Sequence, residues 1–290
     1  MAIGMFDGLH PGHQQLLAHL HKVAQERHLT PCLWTFGQSI PKPGFERLMS
    51  EPQYLRALAA NGIREVHRMD FIKEVSELSA EEFLKQVLIE KLCVKVLVLG
   101  ADAHLGKNRG SSALEFQHLA RNFGVVVEIL QMQKGPWGDW SSSQMRDWIR
   151  LGQFDKVEQM LARPYTIGGI VVKDQGLAHK LGYPTANLEM KGMLCPPLGV
   201  YRVNVTLPDR PLAPQYLAMA YVGTRPTLAL ETRVVFEAHL LNFSDELYGE
   251  YMEVGNFYYC RPEIKFNNLD ELKQQLARDC AKVQGKECLD

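Results

Sequence analysis

The 290-residue chain predicts two domains of different class: an N-terminal α/β domain with a doubly wound parallel sheet, and an all-β C-terminal domain, an antiparallel β-barrel carrying a terminal helix. Three observations predict this. The length exceeds the roughly 100–200 residues that one core usually serves. Apolar strand-like runs alternate with helical patterns as far as Leu161, as in a parallel sheet covered on both faces. Beyond Arg163-Pro164 the apolar runs follow one another with only glycines and prolines between them, which is the pattern of a barrel or sandwich. The boundary is therefore set at 163/164, giving domains 1–163 and 164–290.

In chain order, only Ala2 and Ile3 separate Met1 from Gly4, so the leading strand is short and natural residues are expected to precede it. Over residues 14–28 the positions Leu16, Leu17, Leu20, Val23 and Ala24 recur at helical spacing, and residues 32–36 read as a strand. Ser50 with Gln53 and Ser79 with Glu82 match the capping box, which marks two further helix starts. Residues 65–71, 94–99 and 125–130 read as strands, and one helical stretch covers 143–161. Five strands follow at 166–172, 200–207, 216–222, 234–241 and 252–259. A closing helix starts at Asn268 and Glu271 and presents the stripe Leu269, Leu272, Leu276, Cys280 and Val283.

Composition narrows the function. Lys and Arg (32) nearly balance Asp and Glu (33), for a net charge of −1, which excludes the basic footprint of a nucleic-acid partner. The cysteines Cys32, Cys93, Cys195, Cys260, Cys280 and Cys288 fall singly, without zinc or redox spacing, which fits a reducing compartment. With no basic-flanked leader and no run near the roughly 20 apolar residues that span a bilayer, the expected location is cytoplasmic, with no membrane partner.

The segment Gly4-Met5-Phe6-Asp7-Gly8-Leu9-His10-Pro11-Gly12-His13 joins the first strand to the first helix. Free amides and the helix dipole favour phosphate there, glycines permit close approach, and imidazoles can donate to developing negative charge. This region resembles the cytidylyltransferase-like nucleotidylyltransferase superfamily with its His-x-x-His phosphate site. Within it, the chain is similar to the FAD synthetase module of bacterial bifunctional riboflavin kinase/FAD synthetases. Gly100-Ala101-Asp102 resembles that family's Gly-x-Asp segment, and Ser141-Ser142-Ser143-Gln144-Met145-Arg146 its Ser-Ser-Thr-x-Ile-Arg segment. The resemblance implies catalytic roles for His10 and His13, and substrate or nucleotide contacts at Gly4, Phe6, Asp7, Gly8, Asp102, Ser142, Ser143 and Arg146. The chain departs from the family where Pro-His-Pro is usual, reading Gly37-Gln38-Ser39-Ile40-Pro41-Lys42-Pro43, and where Asp-Phe-x-Phe-Gly is usual, reading Asp102-Ala103-His104-Leu105-Gly106. Flat surface for a flavin or adenine ring is then left to Trp34, Phe36, Trp137 or Trp140.

Further on, Gly182-Tyr183-Pro184-Thr185-Ala186-Asn187 resembles the Gly-[Phe/Tyr]-Pro-Thr-Ala-Asn segment of riboflavin kinases. That resemblance implies that Thr185 and Asn187 hold Mg2+ and the ATP phosphates; oxygen ligands suit a hard, strongly hydrated cation. Matches continue at Val222-Gly223-Thr224-Arg225-Pro226-Thr227, at 237–249 and at Arg261-Pro262-Glu263. The loop 171–180 matches imperfectly, with Asp174 where glycine is common and Ala178-His179 where Gly-Arg is common. Glu237 interrupts the apolar run Val234-Val235-Phe236, where a carboxylate is costly without a task, and the family places its general base there. Arg261 is expected to contact flavin or nucleotide. The reading is a transferase with riboflavin, FMN, FAD and ATP as small-molecule partners: riboflavin to FMN, then FMN to FAD with release of pyrophosphate. Its alternatives are a riboflavin kinase with an impaired adenylyltransferase domain, and a non-catalytic flavin- or nucleotide-binding protein.

Overall fold

The computed structural model describes residues 1–36, 45–69, 73–173, 181–226 and 232–285. The Gly37–Pro43 departure, Asp174, the Ala178-His179 pair and Thr227 lie outside the described residues, as does the Phe36 side chain. The chain forms two compact units, one of residues 1–45 and 54–140, the other of residues 46–53 and 141–290. The units thus part at Trp140/Ser141, ahead of the composition change at Arg163-Pro164.

The first unit is built on a parallel sheet in the order β3-β2-β1-β4-β7, with β1 Ala2–Ile3, β2 Cys32–Phe36, β3 Glu65–Met69, β4 Val96–Gly100 and β7 Val126–Leu130. Reversal of strand order at β1 is what makes the sheet doubly wound, and ligands in such sheets gather at the carboxyl ends beside that point. β4 is buried along its whole length, as a central strand covered on both faces must be. Helix α1 (Pro11–Glu26) buries Leu16, Leu17, Leu20, Val23 and Ala24, the predicted set, and starts three residues earlier than predicted because Pro11 takes its first turn. The two capping boxes form: Ser50 and Gln53 bond reciprocally before α2 (Glu51–Ala60), and Ser79 and Glu82 do so before the helical segment that follows the short helix α3 (Lys73–Ser76). That segment opens as α4 (Ala80–Glu82) and continues π-helical over Phe83–Lys91, burying Leu84 and Leu88. A ribbon of β5 (His104–Leu105) and β6 (Ser111–Ser112) leads into α5 (Ala113–Arg121), a helix the pattern reading passed over although Ser112 and Glu115 form a third capping box.

In the second unit the predicted single helix over 143–161 is two, α6 (Ser142–Arg150) and α7 (Phe154–Leu161). Gly152, at φ +70°, ends α6 by letting the Gln153 N–H return to the Trp148 carbonyl at 2.8 Å. A closed antiparallel barrel follows in the order β10-β11-β12-β9-β8-β13, from β8 Thr166–Val172, β9 Ala186–Leu188, β10 Gly199–Thr206, β11 Gln215–Pro226, β12 Thr232–Leu240 and β13 Tyr251–Arg261. The sixth strand, β9, was not predicted, because three residues within a Pro-Thr-Ala-Asn sequence carry no alternation to detect.

Helix α8 (Leu269–Gly285) packs Leu276, Cys280 and Val283 against Val200, Met219 and Leu217 of β10 and β11. Leu269, counted in the predicted stripe, is exposed, since that packing engages only the later turns. Among the described residues Cys32, Cys93, Cys195 and Cys280 are free thiols.

Candidate active sites

At the start of α1 the backbone is forced into unusual shapes. Phe6 (φ +50°) and Leu9 (φ +42°) both adopt left-handed conformations that residues with a β-carbon rarely take, and Gly8 does so at φ +83°. Burial holds them there, since Phe6 and Leu9 are almost fully enclosed. The turn delivers His10 as the N-cap of α1. Its Nδ1 accepts the His13 N–H at 3.2 Å, so the neutral ring carries its proton on Nε2 and presents that nitrogen as a donor. His13 stacks on His10, with centroids 3.6 Å apart and planes 16° from parallel. Burial pushes the His10 imidazole down to about 4, and burial, then the neighbouring His10, holds His13 well below its usual 6.5. Both rings are therefore neutral near pH 7, a state that lets them donate to phosphate without a fixed cation.

A cleft of about 420 Å³ opens here, lined among others by Gly4, Phe6, His10, His13, Asp102 and Trp140. Asp102 is exposed at the carboxyl end of β4, and Asp7 is buried in the turn. Of the candidate flat rings, Trp34 is committed to the core against Phe83, Trp137 is exposed, and Trp140 lies within the cleft. In the other compact unit, Ser141 rather than Ser142 or Ser143 caps α6. Ser142 opens that helix, Ser143 is exposed, and Arg146 is buried with Nε donating to the Glu46 carbonyl at 2.7 Å.

On the barrel, β12 alternates in the way its sequence allows. Phe236, Ala238 and Leu240 take one buried face, so Glu237 and His239 share the opposite one. Register sets Glu237 directly across from Asn187 of β9 and from Tyr221 of β11, the row whose side chain packs with α8 on the outside of the barrel. Outward-facing carboxylates are normally wet, yet Glu237 is only 8% exposed and Asn187 only 9%. The Thr185 hydroxyl donates to Glu237 Oε2 at 3.2 Å. His239 fastens the same segment, its Nδ1–H donating to the Pro184 carbonyl at 2.8 Å while Tyr183 meets the ring edge-on. Thr185 also lines a cleft of about 290 Å³ with Pro184, Leu240, Phe243, Asp245 and Tyr248.

The structure thus brings Thr185, Asn187 and Glu237 together, whereas the Arg261 guanidinium is taken up by Asp279 of α8 through contacts of 2.6 and 3.0 Å. Asp279, His239 and Trp140 are the residues that sequence reasoning missed or set aside. Trp140 had a readable signal in its place directly ahead of the serine run; Asp279 had none, lying 18 residues from its partner.

Comparison with known proteins gives a family for each part of the chain. A family model described as riboflavin kinase matches residues 161–286, and one described as FAD synthetase matches residues 1–144. A bifunctional riboflavin kinase/FMN adenylyltransferase from Pseudomonas fluorescens is 34% identical over 288 residues, covering 98% of this chain and 91% of that protein. One from Escherichia coli strain K12 is 33% identical, covering 96% and 90%. A crystal structure of a protein called a macrolide-efflux protein, from Streptococcus pneumoniae, superposes with a TM-score of 0.79 at 29% identity, covering 98% of this chain and 93% of that one. Parallel sheet, barrel and matched domains together define a two-domain transferase of phosphorus-containing groups. The chain belongs to the bifunctional riboflavin kinase/FMN adenylyltransferase family.

Proposed function

We propose that the barrel site phosphorylates riboflavin to FMN, with Glu237 as general base, and that the His10 site transfers the adenylyl group of ATP to FMN. Both reactions are ATP-dependent, as the family's are. The working division is 1–163 for adenylyl transfer and 164–290 for the kinase. The observation that carries the kinase reading is a carboxylate on the outer face of a barrel, shielded from water and bonded by the Thr185 hydroxyl opposite Asn187. Shielding a carboxylate from water is costly unless hydrogen bonds offset it, and the Thr185 hydroxyl supplies one here.

In the kinase step the riboflavin 5′-hydroxyl gives its proton to Glu237 as its oxygen bonds to the γ-phosphorus, and the bond to the bridging oxygen breaks to release ADP. Thr185 and Asn187 offer a hydroxyl and an amide oxygen beside that carboxylate, a hard, mostly neutral donor set that fits Mg2+ with phosphate oxygens filling its shell. Bound with ATP, Mg2+ would supply charge neutralisation on the phosphoryl oxygens. In the second step an FMN phosphate oxygen attacks the α-phosphorus and pyrophosphate leaves. His10, with Nε2–H as donor, and His13 stabilise charge growing on the α-phosphate, and the start of α1 adds its amides. Gly4, Phe6, Asp7, Gly8 and Asp102 serve the nucleotide within the first unit, and Ser142, Ser143 and Arg146 of the second unit stand as phosphate-binding candidates in their own right. Arg261 contributes by holding α8 through Asp279.

The test is Glu237→Gln. FMN formation should fall by about 10²–10⁴-fold in kcat with little change in KM for ATP. An unchanged rate would remove Glu237 from the mechanism.

A further inference from the structure

We propose that Trp140 is a positioning residue for adenylyl transfer, a wedge that fixes the orientation of the His10 ring and keeps water from its buried face. This rests on the reading of His10 as part of the adenylyl-transfer site. The Trp140 indole lies 6.1 Å from the His10 ring, 15° from parallel, so that Trp140, His10 and His13 form one continuous stack. Phe6 closes its far end, 5.1 Å from His13.

The surroundings of Trp140 are built around the indole. A β-carbon at Gly12, on the helix between the two histidines, would lie 2.7 Å from the indole Cδ1. A β-carbon at Gly135 would lie 2.9 Å from the six-membered ring. Neither glycine has a left-handed φ, so both give room for the indole and not freedom to the backbone. The Gly135–Gly138 turn is closed by N–H to O bonds in both directions, at 2.6 and 3.3 Å, and the indole N–H donates to the Gln133 carbonyl at 2.7 Å. The ring is thereby fixed in position and rotation before any ligand arrives. Preorganised donors stabilise a transition state only if they need not reorient, and a displacement near 1 Å can cost about a hundredfold.

The other titratable groups lining this cleft are His13, Asp102 and Asp139, the last on the loop that carries Trp140. Removing the indole should wet His10 and let its protonation midpoint climb from about 4 toward 6.5. A charged His10 would oppose protonation of the stacked His13, so the rise is expected at His10 alone, with the Asp102 and Asp139 side chains lining the same cleft.

The experiment uses the full chain with Trp140→Ala, Trp140→Phe and Gly135→Ala. FAD formation from FMN and ATP is measured alongside riboflavin phosphorylation, and His10 is titrated by NMR. Trp140→Ala should lower the FAD-forming kcat by about a hundredfold, raise the His10 midpoint and leave riboflavin phosphorylation unchanged. Trp140→Phe should restore most of the rate and the low midpoint. Gly135→Ala, which displaces the ring without deleting it, should reproduce the loss if Trp140→Ala does not fold. An unchanged rate and midpoint in both Trp140→Ala and Gly135→Ala would overturn the inference. So would a lost rate with an unmoved midpoint and no rescue by phenylalanine, which is the signature of a purely structural residue. If His10→Ala keeps full FAD formation, the His10 site itself falls, and this inference with it.

Discussion

The two proposed sites would meet the same problem, handling phosphate charge, with opposite materials. At the start of α1 the chain uses two stacked imidazoles driven neutral by burial, on a backbone bent into rare conformations. On the barrel it uses regular strands, whose register alone sets a carboxylate across from an amide and within reach of a hydroxyl. A strained turn can aim groups that regular structure cannot reach, but it needs a tightly packed surround to hold it. A strand pair needs only its ladder, so its site tolerates a looser cover, which a threonine and a proline carbonyl supply.

The contrast can be broken first at the support of the barrel. Asp279 is almost fully enclosed and carries the Arg261 guanidinium, so Asp279→Ala strands a half-buried cation beside an emptied site. We expect about 3–5 kcal/mol of lost stability in the kinase unit, read by urea denaturation, with FAD formation from supplied FMN preserved in mild conditions. Equal loss of both activities would mean that α8 supports more than the barrel.

A smaller effect sharpens the other side. The unfolded chain holds His10 near 6.5 and the folded one near 4, so between those values the unfolded state binds more protons. Stability from this group is full above pH 6.5 and is lost as the pH falls toward 4, amounting to about 3 kcal/mol for His10. Denaturation midpoints taken from about pH 7 down to about pH 4.5 should fall steeply in the native chain and less steeply in His10→Gln. Parallel slopes would show that His10 is not the buried neutral group described.

Much of this was legible in the sequence, and the rest was hidden for physical reasons. Periodicity located α1, β2, β8 and four further barrel strands, because each is long enough to alternate or repeat. It missed β9, three residues in a turn-like sequence, and it ran α6 and α7 together although Gly152 marked the break. Thr185, Asn187 and Glu237 could be named from motif alone. The shielding of Glu237 could not, since its cover comes from a segment about fifty residues away that His239 ties down. The stack of Trp140 on His10 joins residues 130 apart and is a product of the fold. The Arg261–Asp279 pair likewise has no local pattern, so a contact expected for a ligand belongs in the structure to a helix.

The most direct test of two separate sites is a crossed assay. Riboflavin with ATP and FMN with ATP are supplied in turn to His10→Ala and Asn187→Ala, and FMN and FAD are followed together. The account predicts that His10→Ala makes FMN at the native rate and no FAD from either substrate, and that Asn187→Ala makes FAD from supplied FMN but little FMN from riboflavin. Loss of both products in either variant would contradict it.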